Sequence, residues 1–90
     1  MEFVHEENRI VLLNEGKVVA EVTFPSIDEH TVDINRTFVD ESMRGKGIAG
    51  KIMEETAREL RERNKKVVLS CPYAARWFEK HEKLRGDNIK

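Results

Sequence analysis

The sequence has little of several features that mark particular classes of protein. Its 90 residues contain one cysteine, so an internal disulfide framework is excluded and a reducing cytoplasm is the expected location. No apolar run approaches the roughly 20 residues of a membrane-spanning helix, and the N-terminus lacks the apolar stretch of a signal peptide. These absences predict a cytoplasmic protein that has no membrane partner.

Net charge is also nearly absent, because sixteen basic residues and seventeen acidic ones leave a formal charge of −1. Non-specific nucleic-acid binding depends on a basic excess that displaces counterions, so no nucleic-acid partner is expected. An aromatic content of 7% argues against an RNA-binding module as well. The histidines and Cys71 do not follow metal-ligand spacing, and no metal site is predicted. The length predicts one small domain over residues 1–90.

Segments rich in apolar and β-branched residues in the first half of the chain predict strands. Phe3 to His5 is predicted to begin one, and Arg9 to Leu13 and Lys17 to Phe24 are strand-like. The segment Asn14-Glu15-Gly16 supplies a glycine suited to positive φ, which predicts a hairpin between the second and third of them. His30 to Asp40 is predicted as a further strand.

Arg36 departs from the alternation of that last strand. It shares the parity of Val32, Ile34 and Phe38, which are expected to face the core. Either a charge points inward at this position, or a bulge switches the faces of the strand.

The second half of the chain changes to helical periodicity. Apolar positions recur at 3.6-residue spacing and predict a helix that ends near Asn64, its buried face formed by Ile48, Ile52, Met53, Thr56, Ala57 and Leu60. Lys66 to Ser70 is predicted as a buried strand parallel to the long strand before the helix. Pro72 suits the first turn of a second helix, which carries His81 on its apolar face as a packing or capping residue. The fold class is therefore α+β, mainly antiparallel, with a parallel β-loop-α-β-α unit.

The loop "SMRGKGIAGKIM" (42–53) contains three phosphate-binding patterns. It lies between a strand and a helix, where free N–H groups and the helix dipole favour anions. A nucleotide-triphosphate loop needs Ser or Thr where Ile52 stands, and a dinucleotide fingerprint needs an acidic residue where the next strand ends in Ser70-Cys71. Two readings stay open, namely a glycine-rich turn without a ligand and the pattern R-x-x-G-x-A formed by Arg44, Gly47 and Ala49.

That third pattern and its flanks resemble a known family. The stretch "RTFVDESMRGKGIA", followed by "VVLSCPYAARWFEKHEK", is similar to the short, single-domain members of the GNAT superfamily of acyl-CoA N-acyltransferases. The resemblance covers about Arg9 to His81. It implies a minimal GNAT-like fold without the N-terminal helices of the larger enzymes, and acetyl-CoA or CoA as cofactor.

The resemblance also assigns cofactor-binding residues. Phe38 and Val39 would face the pantetheine, and the loop would hold the pyrophosphate through Arg44, Gly45, Lys46, Gly47, Ile48, Ala49 and Gly50. Cys71 and Phe78 are expected near the thioester end of the cofactor. Larger GNAT enzymes often have a proton-donating tyrosine where Phe78 stands, and phenylalanine cannot donate a proton.

Cys71 and Tyr73 are the candidate catalytic residues. Cys71 directly precedes the proline that begins the second helix, and helix N-termini favour reactive thiolates. It would act as an acetyl relay, as a proton donor, or only as a packing residue. Tyr73 is a proton donor or a packing aromatic. Short GNAT-like proteins commonly have histidine where Arg36 stands, and arginine cannot serve as a base at neutral pH.

The resemblance predicts that acetyl-CoA donates an acetyl group to a primary amine of a small molecule or a protein. The alternative is a non-catalytic module that binds CoA or another protein, which the phenylalanine at position 78 favours. The protein is expected to be a monomer or a homodimer.

Overall fold

The structure is a computed structural model that describes residues 1–86, 88 and 89. The strands in this part of the chain form two small sheets. The strands are β1 (Glu2–His5), β2 (Arg9–Asn14), β3 (Lys17–Thr23), β4 (Thr31–Ile34), β5 (Arg36–Val39) and β6 (Lys66–Leu69). The helices are α1 (Ile48–Glu62), α2 (Pro72–Lys80) and α3 (Glu82–Arg85), and a 3₁₀ turn spans Glu41–Met43. The fold is α+β with a mostly antiparallel sheet, as predicted.

The larger sheet is antiparallel throughout and has the order β1-β2-β3-β5. Asn14 pairs with Lys17, so only Glu15 and Gly16 form the turn between β2 and β3. Their φ values are 52° and 78°. Two consecutive positive φ values give the tight turn that matches strand twist, and glycine adopts such a value without strain. The predicted hairpin is confirmed.

The prediction of one strand from His30 to Asp40 is wrong in one respect, because Asn35 divides this segment into β4 and β5. Ser26 faces Val32, whereas Thr23 faces Arg36, so one side of the ladder holds one residue more than the other. This extra residue is a β-bulge, which turns Arg36 outward to the exposed surface. The bulge, rather than a buried charge, explains the misfit of Arg36.

The smaller sheet pairs β4 with β6 in parallel, as the strand-helix-strand order predicted. Beyond the end of β6, the N–H groups of Ser70 and Cys71 both donate to the carbonyl of Ile34, at 3.1 and 3.0 Å. Near the C-terminus Ile89 makes a parallel bridge to Val67. Asp87 and Lys90, which belong to the same tail, lie outside the described residues.

The apolar stripe of α1 packs against the larger sheet and forms most of the core. All six residues predicted for this face are buried. They meet the inward-facing residues of the second and third strands, among them Ile10, Leu12, Ala20 and Val22. The hydroxyl of Thr56 donates to the carbonyl of Ile52 at 2.8 Å, which satisfies a polar group that would otherwise be costly to bury.

His81 ends α2 as the packing and capping residue that the sequence predicted. Its ring stacks on the indole of Trp77 with 4.0 Å between ring centroids. Its Nδ1 donates to the Trp77 carbonyl at 2.7 Å, so a carbonyl of the last helical turn gains a donor. The stacking contact and the hydrogen bond of His81 are therefore both made at the C-terminal end of α2.

His5 fastens the edge strand β1 to α1. Its Nδ1 lies 2.6 Å from a Glu59 oxygen and its Nε2 lies 2.7 Å from a Glu55 oxygen. Carboxylates only accept hydrogen bonds, so the contact is complete only when both ring nitrogens carry protons. Partial burial lowers the pKa of His5, but the two carboxylate hydrogen bonds outweigh it and the pKa is raised overall.

We predict that this clamp makes stability depend on pH. Because the pKa of His5 is higher in the folded state, its contribution is complete below the unfolded value of 6.5 and is lost as pH rises through the folded pKa. His5→Gln should therefore cost about 0.5 kcal/mol near pH 6 and much less near pH 9, given the partial exposure of the pair. Urea unfolding at several pH values measures the difference.

The matched control is His30→Gln, because His30 is exposed and 3.9 Å from an equally exposed Glu29. This variant should keep the pH dependence of the wild type. Equal destabilisation by His5→Gln at both pH values would contradict the assignment of the charge to His5.

Candidate active site

A cleft of about 400 Å³ opens where β5 diverges from β6. β5 is an edge strand whose described pairing is with β3 alone, so its outer N–H and C=O groups are free of any strand partner. The cleft is lined by β5, the following loop, the first turn of α1 and the first turn of α2, through Thr37, Val39, Met43, Arg44, Gly45, Gly47, Ile48, Ala49, Gly50 and Tyr73.

Two left-handed glycines shape the loop that enters α1. Gly45 has a φ of 80° and Gly47 a φ of 75°, a region that is unfavourable for a residue with a Cβ. Gly47 is the N-cap of α1 and has no side chain that could bond the free N–H groups of the first turn. These donors and the positive end of the helix dipole are therefore available to an anion in the cleft.

The cations of this region lack carboxylate partners. Arg9, Arg36, Arg58 and Arg63 each form an ion pair with a glutamate. Within the described residues, by contrast, no ion pair involves Arg44, Lys46 or Lys51. Of the three, only Arg44 lines the cleft, whereas Lys46 is exposed and Lys51 lines a separate hollow with Glu54 and Glu55. An unpaired arginine beside an uncapped helix N-terminus favours a phosphate-type ligand.

Asp40 holds the start of the loop in place. Its N–H donates to the Val19 carbonyl at 2.8 Å, which ties the loop to β3. Its carboxylate accepts hydrogen bonds from the hydroxyl and the N–H of Ser42, and these bonds lower the pKa of Asp40. The carboxylate is thus held by the 3₁₀ turn; it also lies 3.8 Å from the Lys17 Nζ, and the positive charges of Lys17 and Arg44 make smaller contributions to its lowered pKa.

Cys71 lies just beyond β6, at the N-cap of α2, and its side chain is buried. Its Sγ is 3.5 Å from the Thr37 Oγ1, so a hydrogen bond connects the start of α2 with β5. Since Thr37 lines the cleft, the thiol is one residue removed from the cleft wall.

Tyr73 lines the cleft two residues further on. Burial, with a smaller electrostatic contribution from the neighbouring Cys71, raises the pKa of Tyr73 above its ordinary value. The phenol therefore stays protonated at neutral pH, the state in which it can donate a proton or a hydrogen bond.

Besides Cys71, three of the residues assigned by resemblance lie elsewhere than on the cleft wall. The side chain of Phe38 faces the opposite side of β5, with the Arg36 guanidinium 5.4 Å from its ring. Lys46 is exposed between the two glycines, and Phe78 is completely buried in the core. Their roles toward a cofactor stay predictions.

Thr37 and Met43 line the cleft although the sequence did not single them out. The alternation of the sequence from His30 to Asp40 predicts Thr37 on the polar side of its strand, away from the core. The bulge at Asn35 reverses that parity, and the misfit of Arg36 was the signal that could have revealed Thr37. Nothing in the sequence distinguishes Met43, which is buried beneath the loop, from an ordinary core methionine.

The described part of the chain contains neither a metal-binding cluster nor a membrane-spanning helix. Residues 1–86, 88 and 89 hold no group of three His, Cys, Asp or Glu side chains placed to bind a metal ion. Among the same residues, no helix is long and apolar enough to cross a membrane.

Comparison with known proteins identifies the family. The model of the GCN5-related N-acetyl-transferase family matches residues 5–87, nearly the entire sequence. The chain belongs to the GCN5-related N-acetyltransferase (GNAT) family. A search of curated proteins found no significant match.

Solved structures share the GNAT fold with this chain. A GCN5-like protein from Staphylococcus aureus, solved by NMR, superposes with a TM-score of 0.77 at 27% identity and covers 99% of this chain and 87% of its own. The ribosomal-protein-S18-alanine N-acetyltransferase of Escherichia coli gives 0.67 at 19% identity, over 86% and 54% of the two chains. Rv2747 of Mycobacterium tuberculosis, solved with CoA and NLQ, gives 0.67 at 21%, over 84% and 48%. The chain spans about half the length of the latter two.

We predict that the two glycines at either end of the first turn of α1 respond differently to alanine. Gly47→Ala should cost about 1 kcal/mol of unfolding free energy, because its φ is positive. Gly50→Ala should be neutral or stabilise by about 0.5 kcal/mol, because an added Cβ would meet only the Trp77 Nε1 at 3.6 Å. Urea unfolding compares the two variants, and equal stability of both would contradict the strained loop.

Proposed function

We propose that this GNAT protein binds acetyl-CoA in the cleft and transfers its acetyl group to a primary amine. The observation that carries the proposal is the uncapped N-terminus of α1, which opens onto the cleft behind two left-handed glycines. The pyrophosphate fits these N–H groups and the cleft-lining Arg44 beside them. The acceptor is an amine of a small molecule or a protein. That residues 1–90 form a single domain and that the protein is cytoplasmic stay predictions.

Three features support CoA over other phosphate-bearing ligands. The free edge of β5 offers backbone N–H and C=O groups that can pair with the amide groups of a pantetheine arm. The cleft runs from the loop to Tyr73, so it joins a phosphate site to a chemical site. Rv2747, whose fold is similar, was solved with CoA.

Acetyl transfer requires a neutral amine, a polarised carbonyl and a proton for the departing thiolate. Acetyl-CoA supplies an activated thioester. As the C–N bond forms and the C–S bond breaks, the phenol of Tyr73 is the cleft-lining group that we propose protonates the leaving sulfur. The proton that the amine nitrogen loses on becoming an amide then passes, directly or through water, to the phenolate and restores the phenol. Cys71 serves as a relay that accepts the acetyl group, as a hydrogen-bond donor, or as packing; its buried contact with Thr37 is compatible with all three.

A second function, a CoA-binding module without turnover, is favoured by the burial of Phe78. At the position where larger family members often carry a proton-donating tyrosine, this side chain is enclosed in the core and has no polar atom. Binding without acetyl transfer to any amine would select this function over the enzymatic one.

We expect calorimetry to show binding of CoA and acetyl-CoA but not of NAD or ATP. Gly47→Glu places a carboxylate at the anion site and should weaken CoA binding at least about tenfold, while Arg44→Ala should weaken it by a smaller factor. Glu15→Ala, a surface change in the β2–β3 turn outside the cleft lining, should leave the affinity unchanged. No preference for CoA would overturn the proposal.

A second experiment separates the roles of Cys71 and Tyr73. In the presence of acetyl-CoA and an amine, Tyr73→Phe should lower the rate of acetyl transfer by roughly a hundredfold if the phenol is the acid. Mass spectrometry of the wild type without amine tests for an acetyl group on Cys71. Transfer that survives Cys71→Ala unchanged would exclude the relay, and transfer that survives Tyr73→Phe would exclude the phenol.

A further inference from the structure

Gly50 occupies the first turn of α1 although the fold does not require glycine there. Its φ is not positive, and an added Cβ would make only an ordinary contact, 3.6 Å from the Nε1 of Trp77. Glycine is among the least favourable residues inside a helix. The residue is also outside the R-x-x-G-x-A pattern, so neither the backbone nor that pattern accounts for it. What the missing Cβ provides is a gap of methyl size between the Trp77 Nε1, which lies behind the cleft wall, and the cleft that Gly50 lines.

Trp77 presents a hydrogen-bond donor to that space. Only 7% of its surface is exposed. Its ring faces are used, because His81 stacks on the indole and Phe78 meets it edge-on at 5.0 Å. None of the side-chain hydrogen bonds among residues 1–86, 88 and 89 involves the indole N–H; the one bond at Trp77 uses its carbonyl. No buried side-chain nitrogen or oxygen in this part of the chain lacks a partner, so Nε1 must be reached by solvent.

We propose that Trp77 is a ligand-binding residue whose indole N–H donates to a pyrophosphate oxygen of CoA beside Gly50. The inference rests on the proposed function and adds to it a donor from α2. A tryptophan that is more than nine-tenths buried cannot move far, so its N–H is held in position before the ligand arrives. With the N–H groups of α1, the anion would be held from two helices, and CoA binding would join α1 to α2.

The single tryptophan of the chain allows a direct test. A ¹⁵N–¹H spectrum contains one indole N–H signal, which needs no mutation to assign. In free protein this proton should exchange with water. Saturating CoA should shift the signal downfield and protect the proton from exchange, as expected for a charge-assisted hydrogen bond. An indole signal that stays unchanged while backbone signals of the loop shift would overturn the inference and leave the proposed function intact.

Two further probes, dephospho-CoA and pantetheine, identify which part of the ligand Trp77 contacts. Dephospho-CoA keeps the pyrophosphate and lacks the ribose phosphate, so it should reproduce the shift. Pantetheine lacks both groups; it should move the backbone signals of Thr37 and Val39 and leave the indole signal in place. Loss of the shift with dephospho-CoA, or its appearance with pantetheine, would overturn the pyrophosphate assignment.

Affinity gives an independent measure. Trp77→Phe keeps an aromatic ring and removes the donor, so calorimetry should show CoA binding about tenfold weaker. Leu60→Ala is the matched control for lost core packing, because Leu60 is buried in α1 away from the cleft; it should lower stability and leave CoA affinity unchanged. Unchanged affinity in Trp77→Phe would overturn the inference, whereas absence of CoA binding by the wild type would overturn the proposed function and this inference together.

Discussion

The cleft depends on one extra residue between β4 and β5. Asn35 shifts the pairing with β3, so that β5 stays in the antiparallel sheet while β4 turns to β6. The carbonyl of Ile34 then accepts two N–H groups from the start of the α2 segment, which closes the smaller sheet at the point of separation. Beyond that point the outer edge of β5, the side away from β3, has no strand partner among the described residues. The cleft beside this edge is where a ligand can lie.

The anion site at one end of this space follows from local backbone chemistry. Gly45 and Gly47 have left-handed φ values, and the N-cap Gly47 makes no side-chain cap hydrogen bond, so the N–H groups of the first turn of α1 are open to the anion that we propose. Asp40, at the start of the loop, is hydrogen-bonded to Ser42. Within the described residues Arg44 lines the cleft without an ion pair, even though the chain as a whole is nearly neutral.

The chemical end of the cleft is built by α2, whose first turn brings Cys71 and Tyr73 toward the free edge of β5. The two residues differ in access, because the phenol lines the cleft while the thiol lies behind Thr37. Further along the same helix, Phe78 belongs to the core. Phe78, at the position where larger GNAT enzymes often carry a tyrosine, is therefore enclosed, and the candidate acid that we propose lies in the first turn of α2.

The sequence by itself determined the elements that depend on neighbours in the chain: the periodic face of α1, the hairpin at Gly16, and the glycine loop before a helix. It also carried enough of the GNAT pattern to predict the fold. Only the tertiary structure decided that the strand before the loop divides, that Thr37 rather than Phe38 faces the cleft, and that Trp77 lies against Gly50. The reason is physical. A bulge changes which face every later residue of a strand occupies, and a contact between two helices depends on how they pack, so neither is encoded in the spacing of residues along one segment.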